Sequence, residues 1–359
     1  MVSWMSPITR SLTQTMRPSG ERRALLARRL LVLLGLATLL VAALSGVVRL
    51  GVLPALTGPL GHAVAHHGPW MVVAFLGTVI GVERCADQAR VWPYLGPLLI
   101  GVGGLVGRPS VVLAGGGVLA LALLSRSRHA RVTTLLAIEV VSQLVFLGAA
   151  TLAVRGAPVF ELVSWWMVFL VTTILGELAI EGERTPLALA VVAGAVLVAS
   201  VASPATLRLL GGWFVLLGAW MFRLPAARPI ARGGSEGHVA RSIAAAAGWS
   251  LVAGLLLAKH GALAGGPVYD ATLHAIFVGF VLGMLFGHGP LVLPPLIGRR
   301  VSHDGRFVVP FAVLQGSLVA RVAGDLLDVP AARSAGGALN GVAVLLFVLS
   351  VASASRSPG

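Results

Sequence analysis

The residues best suited to chemistry in this sequence are histidines, and three of the nine crowd into one short stretch. His62, His66 and His67 precede a run from Pro69 to Val82 that contains no charged residue. Imidazole is the commonest metal ligand among side chains, and it also titrates near neutral pH. The stretch therefore predicts either metal ligands or interfacial histidines that hydrogen-bond water and headgroups, and the second interpretation is strongest for His62.

The composition identifies the class of protein in which these histidines act. Of the 359 residues, 57% are hydrophobic and only 11% are charged, and the mean hydropathy is +0.92. A soluble protein carries about a quarter charged residues. Apolar runs of about 20 residues, enough to cross about 30 Å of hydrocarbon, recur along the chain. The sequence predicts an all-α, polytopic integral membrane protein that is surrounded by the lipid bilayer.

The charge pattern and the cysteine content exclude several other classes. The formal net charge is +14, but no basic block is interleaved with aromatic residues and the arginines sit at helix ends,. No nucleic-acid partner is expected. The single cysteine, Cys85, excludes internal disulfides and any multi-cysteine metal site,.

The apolar runs predict about twelve transmembrane helices. They lie near residues 30–49, 63–82, 93–107, 109–125, 132–154, 158–180, 186–202, 207–223, 240–262, 269–297, 309–328 and 335–352. This divides the chain into a basic cytoplasmic N-terminal segment at 1–29, a single transmembrane helical domain at 30–352 and a short C-terminal tail at 353–359. The third and fourth spans are short and glycine-rich, so they are either two crossings or one helical hairpin, which can be partly re-entrant.

The basic residues orient these spans, because cytoplasmic loops of membrane proteins carry an excess of lysine and arginine. With both termini inside, 20 of the 27 basic residues fall in inside loops or tails and six in outside loops. The sequence therefore predicts a multi-pass protein of the cytoplasmic membrane with both termini in the cytoplasm.

This orientation predicts the depth of the ionisable groups, each of which is costly within a span. His67 and His274 fall at similar depth near the outer ends of the second and tenth spans, which suits one metal centre. Arg321 and Asp325 share a helix face and form either an ion pair or a site for an anionic group. His288 lies about 21 Å along the helix from His274 and is either a packing residue at a kink or a second site.

Two further polar residues lie closer to the cytoplasmic side. Glu139 and Gln143 are four residues apart and share a face of the fifth span,. They are either an interhelical hydrogen-bonding pair or part of a path for protons or a substrate.

At this point the residues resemble a known family. The segment His67-Gly68-Pro69-Trp70-Met71 is similar to the H-G-x-x-M segment in the second helix of the heme–copper oxidase subunit I superfamily, and His274 matches the family's tenth-helix histidine. The resemblance implies a twelve-helix fold in which His67 and His274 bind a low-spin heme axially. It also implies that Arg321 neutralises heme propionates at the outer edge.

The chain also departs from the oxidases. Its sixth and seventh spans contain no histidine for the active-site copper, and Thr272 and Ile276 occupy the positions two residues from His274. Oxygen reduction by the standard mechanism is not expected. A closer resemblance is to the NnrS-like family, heme-containing twelve-helix membrane proteins associated with nitric-oxide stress. It rests on His274, Gly279, Met284 and the Gly287-His288 pair in the tenth span.

The leading hypothesis is therefore a heme-binding membrane protein related to oxidase subunit I, with a role in nitric-oxide or redox response. The cofactor expected is a b-type heme, and copper remains open as a second one. The candidate metal ligands are His67, His274, His66 and His288. The alternatives are a secondary transporter, with Glu139, Gln143, Glu177 and Arg321 along its path, and a cofactor-free accessory subunit that assembles with other membrane subunits. The residues do not decide whether the protein is an enzyme.

Overall fold

The computed structural model describes residues 18–54, 57–88, 90–127, 133–179, 183–227, 234–261, 264–301 and 305–356. The predicted N-terminal segment at 1–29 and C-terminal tail at 353–359 lie partly outside these residues, at positions 1–17 and 357–359. Residues 18–29 form the first turns of a helix that continues into the first apolar run.

The described residues are helical almost throughout. The first half of the chain forms α1 (Pro18–Arg49), α2 (Gly58–Ala65), α3 (His67–Pro69), α4 (Thr78–Arg84), α5 (Leu95–Leu105), α6 (Pro109–Ser127), α7 (Thr134–Val154) and α8 (Val159–Leu178). The second half forms α9 (Thr185–Ala202), α10 (Leu207–Arg223), α11 (Gly234–His260), α12 (Pro267–His274), α13 (Gly283–Ile297), α14 (Val308–Leu326) and α15 (Pro330–Ala354). Two short strands, β1 (Arg300–Val301) and β2 (Ser355–Arg356), pair in antiparallel register.

Among the described residues, eight helical stretches are long and apolar enough to cross a membrane. Shorter apolar helices occupy Trp92–Leu105 and Thr185–Ser200. The expected all-α fold is confirmed, and its helices are those of a multi-pass membrane protein. The count of about twelve spans stays a prediction.

The helices form two compact units that alternate along the sequence. Within the described residues, the first unit comprises 1–42, 66–191 and 293–299, and the second comprises 43–65, 192–292 and 300–359. The single transmembrane domain expected at 30–352 stays a prediction.

In the first unit, α5 and α6 form a tight helical hairpin. Gly107 has a φ of +63°, a conformation that favours glycine, and the next amide, that of Arg108, donates to the Gly103 carbonyl at 2.8 Å,. A Cβ atom at Gly115 would lie 2.7 Å from the Gly96 carbonyl oxygen, so the two backbones approach closely,. The glycine-rich third and fourth spans therefore pack against each other as neighbouring helices, and whether both cross the membrane stays a prediction.

Two eight-residue segments of the long helical runs are π-helical: Trp70–Gly77 in the first unit and Ala275–Leu282 in the second. We call them the first and second π segments. A π-helix bonds each carbonyl to the amide five residues later, and such segments are rare and frequent at functional sites.

Each π segment leads into a G-x-x-x-G pattern that packs on a neighbouring helix. In the first unit, a Cβ atom at Gly77 would lie 2.9 Å from Ile100, and one at Gly81 would lie 2.9 Å from Pro97. In the second unit, the pattern is Gly283 and Gly287. Small residues allow this close approach between membrane helices, which have no hydrophobic driving force for association.

In the second unit, α10 and α11 pack through glycines in the same way. A Cβ atom at Gly211 would overlap the backbone of Ala258, and one at Gly254 would lie 2.8 Å from the Gly211 carbonyl oxygen. The neighbouring residue Gly212 is exposed, and a Cβ atom there would meet nothing within 4 Å.

These two adjacent glycines give a matched test of helix packing. We expect Gly211→Ala to lower the free energy of unfolding by about 1–3 kcal/mol, because the added methyl group forces α10 and α11 apart. Gly212→Ala should be neutral or stabilise by up to about 1 kcal/mol through helix propensity. Thermal unfolding of the purified protein in detergent, followed by circular dichroism, measures both. Equal stability of the two variants would contradict the close approach at Gly211.

Candidate functional site

His274 ends α12 in the second unit, directly before the second π segment. Its Nδ1–H donates to the Asp270 carbonyl oxygen one turn earlier, at 2.7 Å. Because a carbonyl oxygen only accepts, this bond leaves the lone pair of the neutral ring on Nε2. The Nε2 atom is thus chemically suited to ligate a metal.

His67 begins α3 in the first unit, three residues before the first π segment. Its Nδ1–H donates to the carbonyl oxygen of Ala42 in α1 at 2.6 Å. The ring is therefore anchored to a different helix, and its neutral form also carries the lone pair on Nε2. Metal-ligating histidines almost always donate their other ring N–H to a carbonyl, carboxylate or water in this manner.

The other two candidate metal ligands, His66 and His288, lie one on each of the histidine-bearing helical runs. His66 joins α2 to α3, and its carbonyl oxygen accepts from the Trp70 amide at 2.9 Å. His288 lies fourteen residues after His274, about 21 Å along one helical run, so these two cannot bind one ion,. Among the residues that the structure describes, no group of three or more His, Cys, Asp or Glu side chains is arranged to hold a metal ion.

Arg321 lies in a network of ion pairs in the second unit. Its side chain is 4% exposed, and it pairs with Asp325 through Nε and with Asp270 through Nη2, both at 3.2 Å. Arg333 of α15 pairs with the other oxygen of Asp325 at 2.7 Å. The network joins α12, α14 and α15, and Asp270 contacts both Arg321 and His274. The ion pair expected within α14 is present, and the role of Arg321 toward heme propionates stays a prediction.

A second buried guanidinium, Arg84, lies in the first unit at the end of α4. It is 4% exposed, and its Nη1 donates to Gln143 Oε1 at 2.6 Å. Its Nη2 donates to the hydroxyl oxygens of Ser142 at 2.8 Å and Thr173 at 3.2 Å. Gln143 also donates to the Gly116 carbonyl at 2.8 Å, so the predicted hydrogen-bonding role of Gln143 is present. Arg84 thereby connects α4, α7 and α8.

Arg126, at the end of α6, pairs with two carboxylates beside this cluster. It lies 3.1 Å from Asp87 and 3.1 Å from Glu139. Glu139 is one helical turn before Gln143, so the face of α7 that the sequence singled out is the face that meets both arginines.

Sequence reasoning missed Arg84 as a site residue. It follows the second apolar run and counts there as one more arginine in an inside loop. Only the packing of α7 and α8 around it identifies it as a buried charge. The sequence signal that could have indicated a buried polar partner is the presence of Ser142 and Gln143 within an otherwise apolar span.

Cys85 follows Arg84 in the loop and is fully buried. Burial raises the pKa of its thiol to about 12, Asp87 adds to the rise, and Arg126 and Arg84 oppose it. The thiolate is the nucleophilic and metal-binding form. The thiol therefore stays protonated near neutral pH and contributes packing.

The folded protein should accordingly resist thiol modification. We expect Cys85 to remain unlabelled by a maleimide at neutral pH in detergent micelles and to label fully in denaturant, as measured by mass spectrometry. A cysteine introduced at Leu327, which is 73% exposed, provides the positive control in the folded state. Rapid labelling of native Cys85 would contradict its burial.

The ion-pair network of the second unit predicts a large cost for removing its central anion. Asp325 is fully buried at its side chain and contacts two arginines, so Asp325→Asn should lower the free energy of unfolding by about 3 kcal/mol,. Asp328→Asn is the control, because Asp328 is 87% exposed at its side chain and exposed pairs contribute about 0–1 kcal/mol,. Thermal unfolding in detergent measures both variants. An Asp325→Asn variant as stable as the wild type would show that the ion-pair network does not stabilise the fold.

Comparison with known proteins places the chain in a family. No curated protein matches it. A family model with the description "Domain of unknown function (DUF8744)" matches residues 28–356, which includes both π segments and the buried residues Arg84 and Arg321. The chain therefore belongs to the DUF8744 family.

Proposed function

We propose that this protein is a heme-binding integral membrane protein in which His67 and His274 are the heme ligands. The observation that carries the proposal is the matching construction of two helices. Each has a histidine whose Nδ1–H donates to a backbone carbonyl, followed by an eight-residue π segment and a G-x-x-x-G pattern. The occurrence of a carbonyl-bonded histidine before a π segment in two separate helices supports a shared role for the two rings.

The chemistry of these histidines fits an axial ligand. Heme iron binds neutral imidazole, and the bond at Nδ1 orients each ring and makes Nε2 more basic. The resemblance to oxidase subunit I favours a b-type heme. Arg321 is less available to a heme propionate, because its guanidinium already pairs with Asp270 and Asp325.

The proposed role is in nitric-oxide or redox response, without oxygen reduction by the standard oxidase mechanism. The helices α8 and α9, which match the sixth and seventh spans, contain no histidine. Thr272 and Ile276 flank His274 at the positions where the oxidases carry a further heme ligand. The proposal also includes about twelve spans, a cytoplasmic-membrane location and both termini in the cytoplasm, supported by the distribution of arginines.

An absorption spectrum tests the heme proposal directly. Protein purified from heme-replete cells should show a Soret band of six-coordinate, low-spin character. His67→Ala and His274→Ala should each lose heme or become five-coordinate and then bind carbon monoxide, because an open iron position accepts the gas. His62→Ala is the control, since His62 is exposed and lies on the same stretch as His67.

The heme content per protein separates the outcomes. One heme altered by either substitution supports two ligands to a single heme. Two hemes, each altered by one substitution, would assign the histidines to separate hemes and contradict a shared one. Colourless wild-type protein would contradict heme binding and favour the cofactor-free accessory subunit. Metal analysis of the same sample tests copper at His66 or His288.

The transporter alternative keeps one supporting observation. In the first unit, Gln143 contacts Arg84 and Glu139 contacts Arg126, so polar side chains form a cluster between otherwise apolar helices,. Arg321 belongs to the second unit and makes its own ion pairs there. Loss of solute uptake in Glu139→Gln vesicles, with His67→Ala unaffected, would favour transport over heme binding.

A further inference from the structure

The main-chain carbonyl that holds the His274 ring belongs to an ion-paired residue, Asp270. Its carbonyl oxygen accepts the Nδ1–H of His274 at 2.7 Å, and its carboxylate accepts from Arg321 Nη2 at 3.2 Å. Asp270 and His274 are four residues apart in α12, so they lie on one face of that helix,. One residue therefore connects the proposed heme ligand to the guanidinium group of α14.

Arg321 is itself held in place by the rest of the ion-pair network. Its Nε lies 3.2 Å from the fully buried carboxylate of Asp325. Its Nη1 donates to the main-chain carbonyl of Arg333 in α15 at 3.4 Å. All three nitrogens of the planar guanidinium group thus contact this network, so Arg321 is a fixed point on α14 from which Asp270 is held.

The helix α12 packs on α14 around this ion pair. It has only eight residues, too few for a stable helix without tertiary contacts, and Ala271 forms a buried apolar cluster with Leu318 and Val322 of α14,. Leu318 and Val322 lie three residues before and one residue after Arg321, so the cluster and the ion pair are adjacent on α14. The rotation of α12 about its axis, and with it the direction of the His274 ring, depends on these contacts.

The partner of the second ring nitrogen orients a metal-binding histidine and tunes the metal. We propose that Arg321 and Asp270 are positioning residues for His274: their ion pair fixes the carbonyl that sets the direction and the tautomer of the ring. The inference rests on the heme proposed above. It gives Arg321 a role other than binding a heme propionate.

Electron paramagnetic resonance of the full-length ferric protein in detergent tests this role, because the g values of a low-spin heme depend on the orientation of its axial imidazoles. We expect Asp270→Asn, which keeps the main-chain carbonyl and loses the ion pair, to displace the largest g value and to lower heme affinity about tenfold. Arg321→Lys should displace it in the same way, because an ammonium group does not reproduce the planar geometry of the guanidinium. The double variant should show no more than either single variant, since both remove one interaction.

Two further variants serve as controls. Asp270→Glu keeps the carboxylate and should keep the g values close to those of the wild type. Asp328→Asn removes an exposed carboxylate that contacts Arg333 in the same network, and it should leave the g values unchanged. An equal displacement in Asp328→Asn would show a general loosening of the network and would contradict a positioning role.

The remaining outcomes separate this inference from the heme proposal. A normal heme signal that neither Asp270→Asn nor Arg321→Lys alters would overturn the positioning role and leave the heme proposal intact. A shift of the propionate bending band in the resonance Raman spectrum of Arg321→Lys, with Asp270→Asn silent, would make Arg321 a propionate partner instead. Additive effects in the double variant would assign the two residues separate roles. Colourless wild-type protein would contradict heme binding itself and this inference with it.

The test also holds if the arginine variant does not fold. The Asp270 side chain is 46% exposed, so both Asp270 variants should fold. A displaced g value in Asp270→Asn that Asp270→Glu restores then supports the positioning role, and equal g values in Asp270→Asn and the wild type contradict it.

Discussion

In each of the two units, a buried guanidinium group connects several helices of that unit. Arg84 joins α4 to α7 and α8 through neutral oxygens, and Arg321 joins α12 to α14 and α15 through carboxylates. Helices among lipids gain little from burying apolar surface, so their association depends on close packing and on polar contacts. An arginine with several donors in a fixed plane can bridge several helices at once. The two arginines differ in what they meet: Arg84 contacts neutral oxygens and the Phe169 ring, whereas Arg321 contacts carboxylates.

Close packing of the helices depends on glycines and other small residues. Glycines at the α5–α6 and α10–α11 contacts bring backbones together where any Cβ atom would clash. Glycines also follow each π segment, so the histidine-bearing helices are held tightly against their neighbours. The π segments themselves change the rotation of each helix by an inserted residue. In each unit this alteration follows a histidine, directly after His274 and three residues after His67, and it changes which residues share a helix face.

The two proposed heme ligands are held in comparable ways. His67 and His274 each bond one ring nitrogen to a backbone carbonyl oxygen, which leaves the lone pair of the neutral ring on the other nitrogen,. The carbonyl that His67 meets belongs to α1, whereas the carbonyl that His274 meets belongs to its own helix.

The sequence by itself determined the class of this protein and several of its polar contacts. Length, hydropathy and charge were enough for an all-α membrane protein, because the bilayer requires long apolar helices whatever their packing. Helical spacing was enough to put Arg321 and Asp325 on one helix face, and Glu139 and Gln143 on another, because residues four apart are neighbours. Only the tertiary structure decided the burial of Arg84, the anchoring of His67 on α1, the two π segments and the division into two units. Those features depend on which helices meet, and apolar periodicity carries almost no information about the partner of a helix in lipid.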